Sequence, residues 1–193
     1  NRKTMVVVLD ACEKYPVGYA IGDHESPALI REALRNAVQH TKELFGERYK
    51  PLQLQSDNYQ KKVMVPFYEA MTKYYTPAAL GNAKSKIVEP YFKRLNVEYC
   101  QQANWSGFGI TADKDNQPNL EVLNQNHKFI PDEATVIAQL EAIIAQERAK
   151  KIDAYRAAWE RTEEARKMPF GIEEYLMLMG ETTGRTNKIT GSG

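Results

Sequence analysis

The sequence predicts an α/β fold: a mixed sheet flanked by helices, followed by a helical extension toward the carboxyl end. Three observations predict it. Met5-Val6-Val7-Val8-Leu9 is a continuous apolar run centred on three valines, which suits a strand covered on both faces. Short extended segments then alternate with stretches whose apolar residues recur every three or four positions, the order typical of α/β chains. Beyond about residue 130 only helical periodicity remains. With 193 residues, 42% of them apolar, the chain is long enough to bury a sizeable core.

The first strand, Met5–Leu9, is followed by a turn over Glu13 to Pro16, and Val17-Gly18-Tyr19-Ala20-Ile21 is its expected hairpin partner. Ser26 before Pro27 reads as an N-cap with proline at the first helical position, opening a helix through about Phe45. Leu29, Ala33, Leu34, Ala37 and Val38 form its inner face, and Gly46 stops it. Leu52 to Asp57 is a third strand with Asp57 at its carboxyl end, and Val63 to Lys73 is a short helix. Tyr74 to Pro77 is a short strand or extended link, and the next helix carries Ile87, Tyr91, Phe92 and Leu95. From Gln101 the chain turns rich in Asn and Gln and loses any period, which predicts an irregular arm over 104–130. Pro131-Asp132-Glu133 restarts a helix carrying Ile137, Leu140, Ile143, Ile144, Ile152, Tyr155 and Trp159, expected to run to about Lys167 and to be ended by Met168-Pro169. Ile172 to Met179 is a short amphipathic helix, and 181–193 a polar tail.

Composition removes several classes of function. The longest apolar run spans five residues, too short for a membrane helix or signal peptide. Two cysteines and three scattered histidines supply neither a disulfide framework nor a Cys-rich zinc site, so a cytoplasmic setting is expected. With 26 Lys and Arg against 25 Asp and Glu, the net charge is +1, and contact with nucleic acid must come from local patches. The start at Asn1 and the ending Gly191-Ser192-Gly193 suggest an excised fragment.

Two carboxylates stand out. Asp57 closes a strand within Gln-Ser-Asp-Asn, and Glu89 lies 32 positions later on a helix. Carboxylates at a strand's carboxyl end and on a nearby helix can converge on one or two Mg²⁺ ions, which prefer oxygen ligands and keep open positions for water and phosphate. Such a pair would approach within roughly 8 Å, the scale on which two metals bridge it. The alternatives are that Asp57-Asn58 is a turn signal and Glu89 a solvated helix residue.

Val8-Leu9-Asp10-Ala11, then Gly18-Tyr19-Ala20-Ile21-Gly22-Asp23 and Ser26, resemble the second and third strands of the retroviral-integrase superfamily core. Leu54-Gln55-Ser56-Asp57-Asn58 resembles the segment bearing that superfamily's second catalytic Asp. Gly81-Asn82-Ala83-Lys84 through Val88-Glu89 resembles the loop and helix bearing its catalytic Glu. The later part, with Trp105-Ser106-Gly107 in the arm, is most similar to transposases of the phage Mu type. The resemblance covers most of the chain. It implies a ribonuclease H-like core at 1–103, the arm at 104–130, a helical extension at 131–180, and a tail at 181–193 leading to a further domain. It also implies an Asp-Asp-Glu triad holding two Mg²⁺ or Mn²⁺ ions, of which Asp57 and Glu89 are two members. In that superfamily the first Asp lies on the first of three strands preceding the first helix. Only two precede it here, so the first strand and its Asp are expected upstream of Asn1. Asp10 is then a hairpin-turn residue, with metal ligation the alternative. Pro90 further implies that Glu89 sits at a kink or a helix start.

Lys86, Glu89 and Lys93 share one helical face, apart from the stripe Ile87, Tyr91 and Leu95, and residues 84–94 carry a net charge of +3 with Lys84 and Arg94. A cationic face beside a metal-binding carboxylate suits a phosphodiester substrate, although charge runs often only solvate a helix. Lys61, Lys62 and Trp105 are further candidates for DNA contact, Trp105 by stacking on a base or by bracing the arm. Tyr155 and Trp159 read as core or interface residues. The resemblance implies the activity of a polynucleotidyl transferase from a mobile element such as a prophage. It would cleave and join DNA strands on element ends and target, assembling as a homo-oligomer on DNA and away from membranes. The alternatives are a binding or assembly module that keeps the fold without the chemistry, and a stand-alone ribonuclease H-like nuclease.

Overall fold

The computed structural model describes residues 3–56, 61–77, 87–100 and 131–180. Its architecture is mixed α/β, with three two-stranded sheets and the helices packed around them among the described residues. Strands β1 (Thr4–Leu9) and β2 (Pro16–Gly22) form the expected antiparallel hairpin, in register from Thr4 opposite Gly22 to Val8 opposite Gly18, with an irregularity before Leu9 opposite Pro16. Val6 and Val8 of β1 pack toward Ala20, Leu29 and Ala33, while Met5, Val7 and Leu9 pack toward Tyr91, Leu95 and Ile143. Alternation along a strand sends successive side chains to opposite faces, so an unbroken apolar run is what a strand covered on both faces requires.

Helix α1 (Pro27–Phe45) lies against this hairpin. Ser26 Oγ accepts the Leu29 amide at 3.1 Å, Pro27 takes the first turn, and Gly46 closes the helix at φ 84°, donating its amide to the Lys42 carbonyl. Gly18 lets the helix approach: a Cβ there would stand 2.4 Å from the Ala33 carbonyl oxygen and 2.5 Å from the Ala37 Cβ.

Strand β3 (Tyr49–Lys50) pairs with β6 (Met168–Pro169), and β4 (Gln53–Ser56) runs parallel to β5 (Tyr74–Pro77). Parallel neighbours need a crossover, and α2 (Lys61–Met71) supplies it. Met64, Phe67, Tyr68 and Met71 of α2 are buried in the main core with Ile30, Leu34 and Val38 of α1. Each such side chain contributes roughly 1.5–3 kcal/mol. Val6, Val8, Leu54 and Tyr75 pack against that same cluster, so the hairpin and the parallel pair share one core.

Helix α3 (Val88–Leu95) continues into a π-helical turn, Asn96–Cys100. The long helix α4 (Glu133–Arg161) starts at Asp132, whose side chain accepts the Thr135 amide at 2.8 Å. It ends at Arg161, short of the expected Lys167. The following charged stretch offers no apolar side chain larger than Ala165 to bury until Met168, which is drawn into the β3 pairing. Helix α5 (Ile172–Met179) packs on α2, and Arg35 Nη2 caps its last carbonyl, that of Met179, at 2.9 Å. The segment 131–180 therefore contributes Ile143, Phe170 and Met179 to the clusters that also hold the amino-terminal elements. Tyr155 stacks on Tyr15 at 4.3 Å, and Trp159 stacks on Phe45 at 4.4 Å, consistent with packing roles.

Candidate active site

Helix α3 carries the described half of the expected carboxylate pair. Glu89 is exposed in its first turn, immediately before Pro90. Proline is tolerated there because first-turn amides lack an intrahelical acceptor, so Glu89 sits at a helix start. An acidic side chain at that end is favoured by the helix dipole. Tyr91 and Leu95 are buried and Ile87 is half-buried, which realises the expected apolar stripe, and Lys93 is exposed one turn after Glu89. Strand β4 runs in parallel pairing up to Ser56, the residue before Asp57. Ser56 Oγ lies 2.9 Å from the Tyr75 hydroxyl on β5. Asp57, Lys84, Lys86 and Trp105 lie outside the described residues. Lys61 opens α2, and Lys62 beside it is exposed.

Asp10 follows β1. Its Oδ2 accepts the Glu13 amide at 2.7 Å and its own amide donates to the Tyr15 carbonyl at 2.8 Å, closing a turn that passes through Lys14 at φ 54°. One carboxylate oxygen of Asp10 is thus committed to the backbone. Among the described residues no three His, Cys, Asp or Glu side chains stand together as a metal-binding group.

Arg94 departs from the open cationic face expected of residues 84–94. It turns inward to α4, where both its terminal nitrogens donate to Glu147, Nη1 at 3.2 Å, while Nη1 also reaches Glu98 at 2.7 Å. Glu147 is fully buried, and its carboxylate also accepts from the Tyr99 hydroxyl at 2.8 Å and pairs with Lys151 at 3.1 Å. Burial alone would push this carboxyl up. The hydrogen bonds from Arg94, Tyr99 and Lys151 outweigh that and hold it at about 2. Burial also pushes the Tyr91 phenol up, with the Glu147 charge adding to it.

Glu147 carries a signal in the sequence that its charge conceals. Val136, Leu140, Ile143, Ile144 and Tyr155 define the inner face of α4, and position 147 continues that face at a three-residue step. An acid on an otherwise apolar stripe requires a cationic partner, and half-buried Arg94 supplies it. A second part-buried arginine, Arg148, donates to the carbonyls of Pro16 at 2.9 Å and Val17 at 2.8 Å, tying α4 to the hairpin. No family model, no curated protein and no solved structure matches the chain, so the carboxylate on α3 and the strand leading to Asp57 are the footing for a functional reading.

Proposed function

We propose that the chain is a catalytic core of a DNA transposase or integrase with a ribonuclease H-like fold, acting by metal-dependent strand cleavage and strand transfer. The observation that carries this reading is the β4–α2–β5 unit. Its first strand runs parallel to its second and ends at Ser56, one residue before Asp57, and the next described helix exposes Glu89 in its first turn. Functional residues in parallel sheets gather at the carboxyl ends of strands, which is where Asp57 follows.

The topology adds support. Strand β1 is covered on both faces, yet each of its residues is only half-buried and it pairs with β2 alone among the described residues. Hairpin and parallel pair share one core cluster. A further strand beside β1, bearing the first catalytic Asp, would join them into one mixed sheet.

The donor types fit a hard divalent cation, since Asp57 and Glu89 both offer carboxylate oxygens. Asp10, with one oxygen taken by the Glu13 amide, is the least suited of the three acids. When bound, Mg²⁺ or Mn²⁺ would supply charge stabilisation for the attacking and leaving oxygens of an in-line displacement. The chain's own residues would hold the ions through Asp57 and Glu89 and hold phosphates through Lys93, with Lys84, Lys86, Lys61, Lys62 and Trp105 as further DNA contacts. The alternative is a DNA-binding or assembly module of the same fold without chemistry, and the turn role of Asp10 suits both readings.

The test is strand cleavage and joining with Mg²⁺ or Mn²⁺ in the complete protein. Asp57→Asn and Glu89→Gln are expected to abolish both reactions while leaving DNA affinity within about twofold, because each removes a ligand charge with little change of shape. Strand transfer at the wild-type rate by either variant would overturn the catalytic reading and favour the module.

A further inference from the structure

We infer that Glu147 on α4 is a positioning residue for Glu89, fixing the rotation of α3 and hence the direction of the catalytic carboxylate. This rests on the role proposed for Glu89. Helix α3 spans eight residues and has only two fully buried side chains, Tyr91 and Leu95, one turn apart. Those contacts, with part-buried Phe92 beside them, hold a short helix against the core, and a directional polar anchor adds a further constraint on its rotation. The Glu147 carboxylate supplies that anchor. It is held by Arg94, five residues after Glu89, and by Tyr99, in the π-helical turn that follows.

The π turn bears on this. In a regular α-helix, residues five apart point about 140° away from each other, and one carboxylate would not receive both. Bonding i→i+5 over Asn96–Cys100 lessens that rotation, and Arg94 and Tyr99 converge on the same oxygens. Arg94 and Lys151 also lie over the Tyr91 ring, at 5.4 Å and 5.3 Å. Packing alone would be served as well by a leucine at 147, since buried ion pairs are seldom better than apolar replacements for stability. What the ionic arrangement adds is direction, because a bidentate guanidinium–carboxylate pair tolerates little rotation. The route runs from α4 through Arg94 and α3 to Glu89, so the segment after residue 130 helps set the geometry of a site built on residues before 100.

The experiment compares wild type, Glu147→Gln and Glu89→Gln in the complete protein, at a temperature where each is folded. Direct Mn²⁺ binding by electron paramagnetic resonance, amide exchange over 88–100 and strand cleavage are all measured. Glu147→Gln is expected to weaken Mn²⁺ binding and slow cleavage by about tenfold, as outer partners of metal ligands do, with DNA affinity unchanged and faster exchange confined to α3 and its π turn. Wild-type Mn²⁺ affinity and exchange in Glu147→Gln, beside weakened binding in Glu89→Gln, would overturn the positioning role alone. Undiminished Mn²⁺ binding in Glu89→Gln would instead overturn the role of Glu89 on which it rests. Should Glu147→Gln fail to fold, the paired apolar change Glu147→Leu with Arg94→Met carries the test. Retained stability with lost Mn²⁺ affinity supports positioning, and retained affinity refutes it.

Discussion

The Tyr15 hydroxyl lies 2.8 Å from Nε2 of His40, whose Nδ1 lies 3.3 Å from the Glu43 carboxylate. A neutral imidazole satisfies both contacts, with Nδ1–H donating to Glu43 and Nε2 accepting the phenol proton. A protonated ring has no lone pair for Tyr15. Burial, and then the charge of Arg148, depress the His40 pKa, and the Glu43 carboxylate only partly offsets them.

That depression gives stability a pH dependence of definite sign. The unfolded chain takes up a proton near pH 6.5 while folded His40 resists it, so the unfolded state binds more protons below that point. Stability is fully present above about pH 6.5 and falls as the pH drops through it. Urea unfolding midpoints from pH 7.5 to pH 5 should decline for wild type and decline less for His40→Gln. Equal slopes would remove His40 from the account.

Gly18 is a close approach of hairpin to helix. The 2.4 Å gap between a Cβ there and the Ala33 carbonyl oxygen involves backbone on the helix side, so neither a rotamer change nor a flexible side chain can relieve it. Gly18→Ala should push α1 off β2 and cost about 2–3 kcal/mol, the upper part of the range for overpacked cores. Chemical unfolding measures this directly. A loss below about 0.5 kcal/mol would show that α1 shifts without penalty.

Much of the fold was legible because its signals are local. Ser26, Pro27 and Gly46 bound α1 by cap chemistry, and those limits are the ones observed. The valine run announced a strand covered on both faces. The β3–β6 pair was not legible: two-residue strands 119 positions apart share no pattern, and only tertiary packing joins them. The early end of α4 has the same origin, since residues 168 and 169 are taken by that pairing.

The candidate site was partly legible for a different reason. Pro90 placed Glu89 at a kink or a helix start by a rule of backbone geometry, and the helix start is the one observed. The inward turn of Arg94 did not follow, because a cationic residue beside other cations reads as surface until its partner is known. That partner, Glu147, lies 53 positions away, and only its step on the apolar stripe of α4 marks it.

With Arg94 engaged by Glu147, the open cationic face of α3 rests on Lys93 in the structure and on Lys86 in the sequence. If these lysines neutralise phosphates beside Glu89, changing both to Ala should weaken binding to all DNA sequences alike and make the salt slope shallower by up to about two units. The measurement is DNA affinity across a salt series for wild type and the double variant, on specific and scrambled duplexes, with Ca²⁺ replacing Mg²⁺ to suppress cleavage. Coincident lines for the two proteins would leave this face with no part in holding DNA. A loss confined to one sequence would mean base readout instead. Contacts to the backbone position a duplex and only contacts to base edges specify it, so lysines this near a scissile phosphate should act on every sequence equally.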